Sequence, residues 1–181
     1  RSRPAGQGGR LIRGTLHVFP RPAPKHANTS SVIGIKIGGP FQLGDRGPGG
    51  WWILDEPELH FPDPDEPGAI EALAPDLAGW TKGRLPELPD TAYFELAPDW
   101  ICEVLSKSTE ETDRQEKMPA YARAGVRFAW LVDPIARTFE AYTLGPGSRW
   151  GAPRVYREAA QVRIEPFEAI ELDLSLLWAK K

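Results

Sequence analysis

Residues 100–133 read WICEVLSKSTEETDRQEKMPAYARAGVRFAWLVD, and they carry the clearest signals of the fold class. Residues 100–105 are apolar on both faces of an extended chain except for one glutamate, a pattern that predicts a buried central strand. Residues 108–111 have the spacing of a capping box, which predicts a helix that starts there and stops at Gly125. Residues 127–133 predict a second strand. A strand, a helix and a strand in this order predict an α/β or α+β fold with a mixed sheet.

Further extended segments flank this unit on both sides. Alternating apolar residues between turn signals predict them at residues 11–18, 51–61, 72–80, 138–144, 154–156 and 161–164. The segment at 51–61 is predicted as one interrupted strand, and the last two segments as an edge pair. The segment at 72–80 carries Asp76 and is predicted to pair with the strand that carries Glu103.

Residues 25–37 fit either a helix or a strand. Their β-branched side chains favour a strand, whereas the spacing of Val32, Ile33 and Lys36 favours a helix, which is the structure we expect. Glycines and a proline predict a flexible loop over residues 38–50. A proline is also present inside the helix predicted after residue 108, where Pro119 removes a backbone hydrogen bond and should kink the axis.

Composition sets limits on the class of protein. The chain has 181 residues, 41% hydrophobic and 26% charged, which predicts a globular protein with a flexible segment at residues 1–9 and one domain over residues 10–181. No apolar run is long enough to span a membrane, so a cytoplasmic location is expected. Cys102 is the only cysteine, which excludes an internal disulfide and a cysteine-based zinc site. The net charge of −3 counts against a pure DNA-binding module, but less against a nuclease whose acidic site holds cations.

Glu103 is the anomalous residue of the central strand. A glutamate buried on both faces must be paired, protonated or bound to a metal, because an unpaired buried charge is too costly. A divalent site would use Asp76, Glu103 and the backbone carbonyl of Val104 as ligands, with the ammonium of Lys117 nearby. Alternatively, Glu103 forms a buried salt bridge with Lys117 or Arg127, and Asp76 caps a turn. The residues by themselves leave both explanations open.

Four motifs in this order resemble the Uma2 family. They are Pro75-Asp76-Leu77, the segment from Glu103 to Thr109, the spaced set Asp113, Lys117, Tyr121 and Gly125, and the segment from Trp130 to Pro134. Uma2 proteins are assigned to the PD-(D/E)xK superfamily of nucleases. The resemblance implies a restriction-endonuclease-like fold, with a mixed β-sheet core flanked by helices. It also implies that Asp76 and Glu103 hold Mg²⁺ and that a lysine completes the catalytic site.

The sequence departs from the superfamily pattern at three positions. The superfamily lysine normally follows the glutamate by two residues, but Leu105 occupies that place here. The role then passes to Lys117 on the following helix, and Lys107 is a weaker substitute. Arg10 stands where family members often carry a glutamate.

The expected function is that of an endonuclease dependent on Mg²⁺ or Mn²⁺ that hydrolyses phosphodiester bonds in DNA. Pairing into a homodimer would allow both DNA strands to be cut. The alternative is a catalytically inactive nuclease-like scaffold that binds nucleic acid or protein, in which Glu103 and Lys117 form only a structural ion pair. Three other polar residues, His26, Glu58 and His60, are expected at the surface.

Overall fold

The computed structural model describes the backbone of residues 8–12, 15–19, 23–64 and 66–178, and side chains from residue 23 onward within these ranges. Its strands are β1 (Gly8–Ile12), β2 (Thr15–Phe19), β3 (Trp51–Asp55), β4 (Leu59–Pro62), β5 (Ile70–Leu73), β6 (Leu77–Thr81), β7 (Trp100–Val104), β8 (Phe128–Asp133), β9 (Thr138–Gly145), β10 (Arg149–Trp150), β11 (Arg154–Arg157), β12 (Gln161–Val162) and β13 (Leu172–Asp173). Its helices are α1 (Pro24–Ile37), α2 (Glu110–Thr112) and α3 (Met118–Ala124). There are also π-helical segments at Gly38–Leu43 and Asp113–Lys117, and a 3-10 helix at Leu174–Leu176.

A seven-stranded mixed sheet forms the middle of the fold. Its strand order is β10-β9-β8-β7-β6-β3, and β11 also pairs with β9. Within it, β7 and β8 run parallel, and the segment from α2 to α3 connects them. The predicted strand–helix–strand unit and the mixed sheet are therefore confirmed.

Helical layers cover both faces of this sheet. On one face α1 and the C-terminal segment bury Ile33, Trp100 and Trp130. On the other face α3 and the β4–β5 hairpin bury Ile101 and Tyr121 among other apolar side chains. Adjacent residues of β7 point to opposite faces, so this strand contributes to both cores. Among the described residues, no helix is long and apolar enough to cross a membrane.

The structure corrects the predicted strand at residues 72–80. β5 ends at Leu73 and β6 begins at Leu77, so Asp76 lies in the connection and not inside a strand. Pro75 has no N–H to donate to a ladder, which explains the break. β6 does pair with β7, as predicted, with Leu77 opposite Cys102.

Other predicted strands also have different partners. The segment at 51–61 divides into β3 in the central sheet and β4, which forms a separate hairpin with β5. The predicted edge pair at 154–156 and 161–164 is wrong, because β11 pairs with β9 and β12 pairs with β13. The segment at 11–18 belongs to two strands, and the first begins at Gly8. Arg10 lies on this strand, but its side chain is outside the described residues.

The helix predicted over residues 25–37 is confirmed as α1. Helical backbone then continues through Gly38–Leu43, where a flexible loop was expected, and ends at Gly44 in the left-handed conformation. Phe41 explains the extension, because its ring is buried 4.6 Å from the ring of Phe167 in the core.

The second helical segment begins one residue later than the capping box predicts. Its N-cap is Thr109, whose side chain accepts no capping hydrogen bond, and its first helical residue is Glu110. The hydroxyl of Ser108 instead contacts that of Ser106. The segment ends at Gly125, as predicted. Pro119 lies inside this unbroken helical segment, as predicted, and follows directly after the π-helical turn Asp113–Lys117 and Met118. Its missing N–H removes one hydrogen bond from the helical backbone.

Arg114 fastens this helical segment to the sheet. Its two terminal nitrogens donate to both carboxylate oxygens of Glu140 on β9, at 2.9 and 2.7 Å, and its Nε donates to Glu110. Tyr142 donates to the same Glu140 carboxylate at 2.6 Å. A bidentate pair of this kind fixes both position and angle. It therefore holds the π-helical turn against the sheet.

Replacing Glu140 by glutamine is expected to lower the free energy of unfolding by about 1–2 kcal/mol near neutral pH. The hydrogen bond from Arg114 lowers the pKa of Glu140 in the folded protein, despite the opposing effect of burial. The resulting stabilisation is complete above the ordinary pKa of 4.5 and is lost as the pH falls through the lowered folded pKa. Urea unfolding of both proteins across this range should show the stability difference shrinking in acid.

The exposed carboxylate of Glu158, which contacts Arg137, provides a control for this prediction. Glu158→Gln should change stability little at any pH, because exposed ion pairs are worth little. A stability loss in Glu140→Gln that stays constant as the pH falls would contradict the electrostatic explanation.

Candidate active site

The candidate site lies where β6 begins and β7 ends. The antiparallel register pairs Leu77 of β6 with Cys102 of β7. Asp76 precedes Leu77 and Glu103 follows Cys102, so the two acidic residues are neighbours. The α2–α3 segment brings Lys117 to the same place, and its Nζ lies 2.5 Å from Glu103 Oε1. The structure thus brings together the three residues predicted as catalytic.

Asp76 is held through one of its two oxygens. Its Oδ2 accepts the backbone N–H of Val104 at 2.7 Å and lies 3.3 Å from Nε2 of His26. Burial alone would raise the pKa of Asp76, but the hydrogen bond and charge of His26, the charge of Lys117 and the Val104 N–H outweigh burial and lower it. Asp76 is therefore held as a carboxylate.

Glu103 is also held through one oxygen. Its Oε1 accepts the hydroxyl of Tyr121 at 2.6 Å and contacts the ammonium of Lys117. The side chain is 2% exposed, and burial, reinforced by the charges of Asp113 and Asp76, raises the pKa of Glu103 to about 8 despite the attraction of Lys117. A positive charge beyond that of Lys117 would therefore favour ionised Glu103.

Lys117 lies between two carboxylates. Besides Glu103 it contacts Oδ1 of Asp113, one helical turn earlier, at 3.0 Å. Burial alone would lower the pKa of Lys117, but the charges of Glu103, Asp113 and Asp76 outweigh burial and raise it. Lys117 is thus a buried ammonium ion. Both helical residues belong to the π-helical turn, a distortion that is frequent at functional sites.

Acidic groups outnumber basic groups in the cluster. Three carboxylates, Asp76, Glu103 and Asp113, face the ammonium of Lys117 and the imidazole of His26. Among the described side chains, no donor contacts Asp76 Oδ1 or Glu103 Oε2. Within the described part of the chain, these two carboxylate oxygens therefore lack a donor.

This donor set fits a hard divalent cation that keeps part of its water shell. Mg²⁺ is commonly held by one or two carboxylates together with waters and phosphate oxygens. The described residues contain no group of three or more histidine, cysteine, aspartate or glutamate side chains arranged to hold a metal. A closed metal cage built from protein side chains alone is therefore not formed by this part of the chain.

The remaining candidate residues differ in their placement. Leu105, in the usual lysine position, is buried in the apolar core beside α3, and Lys107 is exposed. Arg127 is exposed and lies over the ring of Phe128, so the partner of Glu103 is Lys117 and not Arg127. Val104 meets Asp76 through its N–H, and the role predicted for its carbonyl stays a prediction.

His26 was expected at the surface, and its position is the main feature that the sequence interpretation missed. It lies in the first turn of α1, and its imidazole is 12% exposed against Asp76. A signal was present, because His26 precedes Thr29, Ile33 and Ile37 at spacings of three and four residues. These three residues form the buried face of α1, so the helix assignment alone would have placed His26 near that face.

Glu58 and His60 lie outside the cluster, as expected. His60 Nε2 contacts Glu58 Oε1 at 2.6 Å, and its ring stacks on that of Tyr93 at a centroid distance of 4.1 Å. The Glu58 side chain is 57% exposed. This pair lies at the surface of the β4–β5 hairpin.

Comparisons with known proteins agree with this fold. A search of curated proteins finds no match. The crystal structure of a putative nuclease belonging to DUF820 from Anabaena variabilis has the same fold, with a TM-score of 0.72, 22% sequence identity and coverage of 94% of this chain and 89% of that chain. The family profile described as Uma2, putative restriction endonuclease, matches residues 4–176. A match over most of the sequence assigns the family, and the chain therefore belongs to the Uma2 family.

Proposed function

We propose that the protein is a DNA endonuclease that requires Mg²⁺ or Mn²⁺ and hydrolyses phosphodiester bonds. The observation that carries this proposal is the cluster of Asp76, Glu103 and Lys117 at one end of the sheet. The family description and the printed name of the structural neighbour, a putative nuclease, support the same reaction class.

Asp76 and Glu103 would hold the cation through Oδ1 and Oε2, and we assign the carbonyl of Val104 as a third ligand. When bound, such a cation supplies a Lewis acid for the phosphoryl oxygen and lowers the pKa of a coordinated water. The protein holds both carboxylates in place before any ligand arrives. The backbone N–H of Val104 fixes one of them, and the hydroxyl of Tyr121 fixes the other.

Lys117 would stabilise negative charge that develops on the phosphate and orient the attacking water. An ammonium has three N–H donors, and the carboxylates of Glu103 and Asp113 take two of them. The third is available to a substrate oxygen or to a water. Burial strengthens such an interaction because the local dielectric is low, and the carboxylates hold the ammonium in place before the reaction begins.

The same ion pair also supports the alternative of an inactive scaffold. Lys117 is already paired with two carboxylates, and a buried pair of this kind holds the helical segment on the sheet without any reaction. The two functions differ in what a cation does, since the scaffold needs none. A homodimer and a cytoplasmic location stay predictions.

Cleavage of supercoiled plasmid and of single-stranded DNA tests the proposal. We expect nicking with Mg²⁺ or Mn²⁺, none with a chelator, and a rate at least about 100-fold lower in Glu103→Gln purified in the same way. Glutamine keeps an oxygen that accepts the bonds of Tyr121 and Lys117, so this variant should fold.

Three other outcomes would count against the proposal. Nicking that is equal in both preparations indicates a contaminating nuclease. No nicking by a folded wild-type protein favours the scaffold. Turnover of a small phosphodiester with none on DNA indicates a different phosphoester substrate.

A further inference from the structure

We propose that His26 is a positioning residue that fixes the carboxylate of Asp76 through Oδ2 and so leaves Oδ1 as the oxygen that binds the cation. The inference rests on the proposed function, because it assigns a role at the same site. Its basis is the contact of 3.3 Å between His26 Nε2 and Asp76 Oδ2, and His26 lies outside the four motifs described in the sequence analysis.

The carboxylate of Asp76 needs two contacts, because one hydrogen bond does not fix its orientation. The N–H of Val104 donates to the same Oδ2 at 2.7 Å, but a single hydrogen bond leaves the carboxylate free to rotate about the bond that carries it. A second contact on the same oxygen, the ion pair with His26 from a different element, restricts the plane of the group. Asp76 Oδ1 then has a fixed direction, and a fixed direction is what a ligand to a hard cation requires.

The fold holds His26 firmly enough for this role. Pro24 lies in the first turn of α1, where its restricted backbone favours helix formation. One turn after His26, the hydroxyl of Thr29 donates to the carbonyl of Leu177 at 2.8 Å, and Ile33 is buried in the core. His26 therefore approaches Asp76 from a docked helix and not from a loose loop.

The contact with Asp76 determines which nitrogen of the His26 imidazole carries the hydrogen. A carboxylate oxygen only accepts, so His26 Nε2 carries the hydrogen in both the neutral and the charged forms of the imidazole. The contact does not depend on which form is present. Nδ1 of His26 is buried and has no partner among the described residues, so none of them competes with Asp76 for the orientation of the ring.

The same geometry argues against a direct contact between His26 and the substrate. Its Nε2 is occupied by Asp76, and its Nδ1 has almost no accessible surface. A phosphate could reach neither nitrogen without displacing the ring. The influence of His26 on the reaction therefore passes through Asp76.

The test is a titration of Mn²⁺ followed by the rise in Tm, which measures cation binding without any substrate. His26→Leu removes the donor at similar volume, and His26→Gln retains an N–H near the position of Nε2. We expect the half-saturating Mn²⁺ concentration to rise about 10- to 100-fold in His26→Leu and to remain near the wild-type value in His26→Gln. Cleavage rates should show the same shift in Mn²⁺ requirement.

His60→Leu is the matched control. His60 contacts Glu58 and stacks on Tyr93, away from Asp76, so its replacement should leave the half-saturating concentration unchanged. If His26→Leu does not fold, His26→Asn replaces it, because the shorter amide does not reach Asp76.

Each outcome bears on a defined claim. A folded His26→Leu variant with wild-type Mn²⁺ binding overturns the inference and leaves the proposed function intact. A wild-type protein whose Tm does not respond to Mn²⁺ overturns the cation site, and the inference with it. Recovery in His26→Gln distinguishes positioning from a purely structural role of the ring.

Discussion

Replacing Lys117 by methionine is expected to lower the free energy of unfolding by about 3–5 kcal/mol and to slow DNA cleavage at least about 100-fold. The stability loss follows from burial, because the side chains of Lys117 and Glu103 are 5% and 2% exposed. Without the ammonium, Glu103 and Asp113 remain buried and lose the cation that both of them contact. Urea unfolding measures the first effect, and plasmid nicking below the Tm of the variant measures the second.

A double variant separates these two effects. Adding Glu103→Gln to Lys117→Met removes one of the two buried acidic groups that have lost this cation, so part of the stability should return. The rest should not, because Asp113 still lacks its partner. Cleavage should remain as low as in either single variant, since both groups act in the same site.

Lys107→Met is the matched control for Lys117→Met. Lys107 is exposed and lies near the end of the same central strand, so its replacement should change neither stability nor cleavage. Full cleavage by a folded Lys117→Met protein would contradict the assignment of the catalytic lysine. Loss of cleavage in Lys107→Met would move that assignment to Lys107.

Replacing Asp76 by asparagine is expected to reduce cleavage by about 10³-fold and to abolish the rise in Tm caused by Mn²⁺. Asparagine still accepts the N–H of Val104, so the local backbone should be kept. It lacks the negative charge that a divalent cation requires. At a cation concentration of about 100 times Kd, the wild type should gain about 2.7 kcal/mol of stability and the variant almost none.

Asp99→Asn shows whether the loss of any buried aspartate has this effect. Asp99 precedes β7, is 2% exposed, and contacts Thr81 and Arg84 away from the cluster. Its replacement should lower stability and leave the Mn²⁺ response unchanged. A Mn²⁺ response that survives in Asp76→Asn would place the cation elsewhere in the protein.

The central unit of the fold could be predicted because its signals are local. An apolar strand interrupted by Glu103, a helical segment that stops at Gly125 and a second strand each follow from a few neighbouring residues. The contact of Lys117 with Glu103 follows from the same unit, because the helix must pack across the sheet. Sequence patterns of this kind are informative where the partners are close along the chain.

The strand partners near the C-terminus could not be predicted in this way. Alternating residues identify β11 and β12 as extended, but alternation does not tell which strand each one joins. β11 pairs with β9 and β12 with β13, pairings that depend on the folded core. The place of His26 was missed for the same reason, because it depends on how α1 docks against a distant part of the chain.

The hydrogen bond between Thr29 and Leu177 joins residues that are 148 positions apart. The helix that carries His26 thus docks on a surface that is synthesised long after it, and Ile33 and Ile37 share a core with Leu174 and Leu177. A nascent chain that ends before these residues lacks the support that brings His26 to Asp76. During translation, the proposed site would therefore stay incomplete until the segment around Leu177 has emerged and folded.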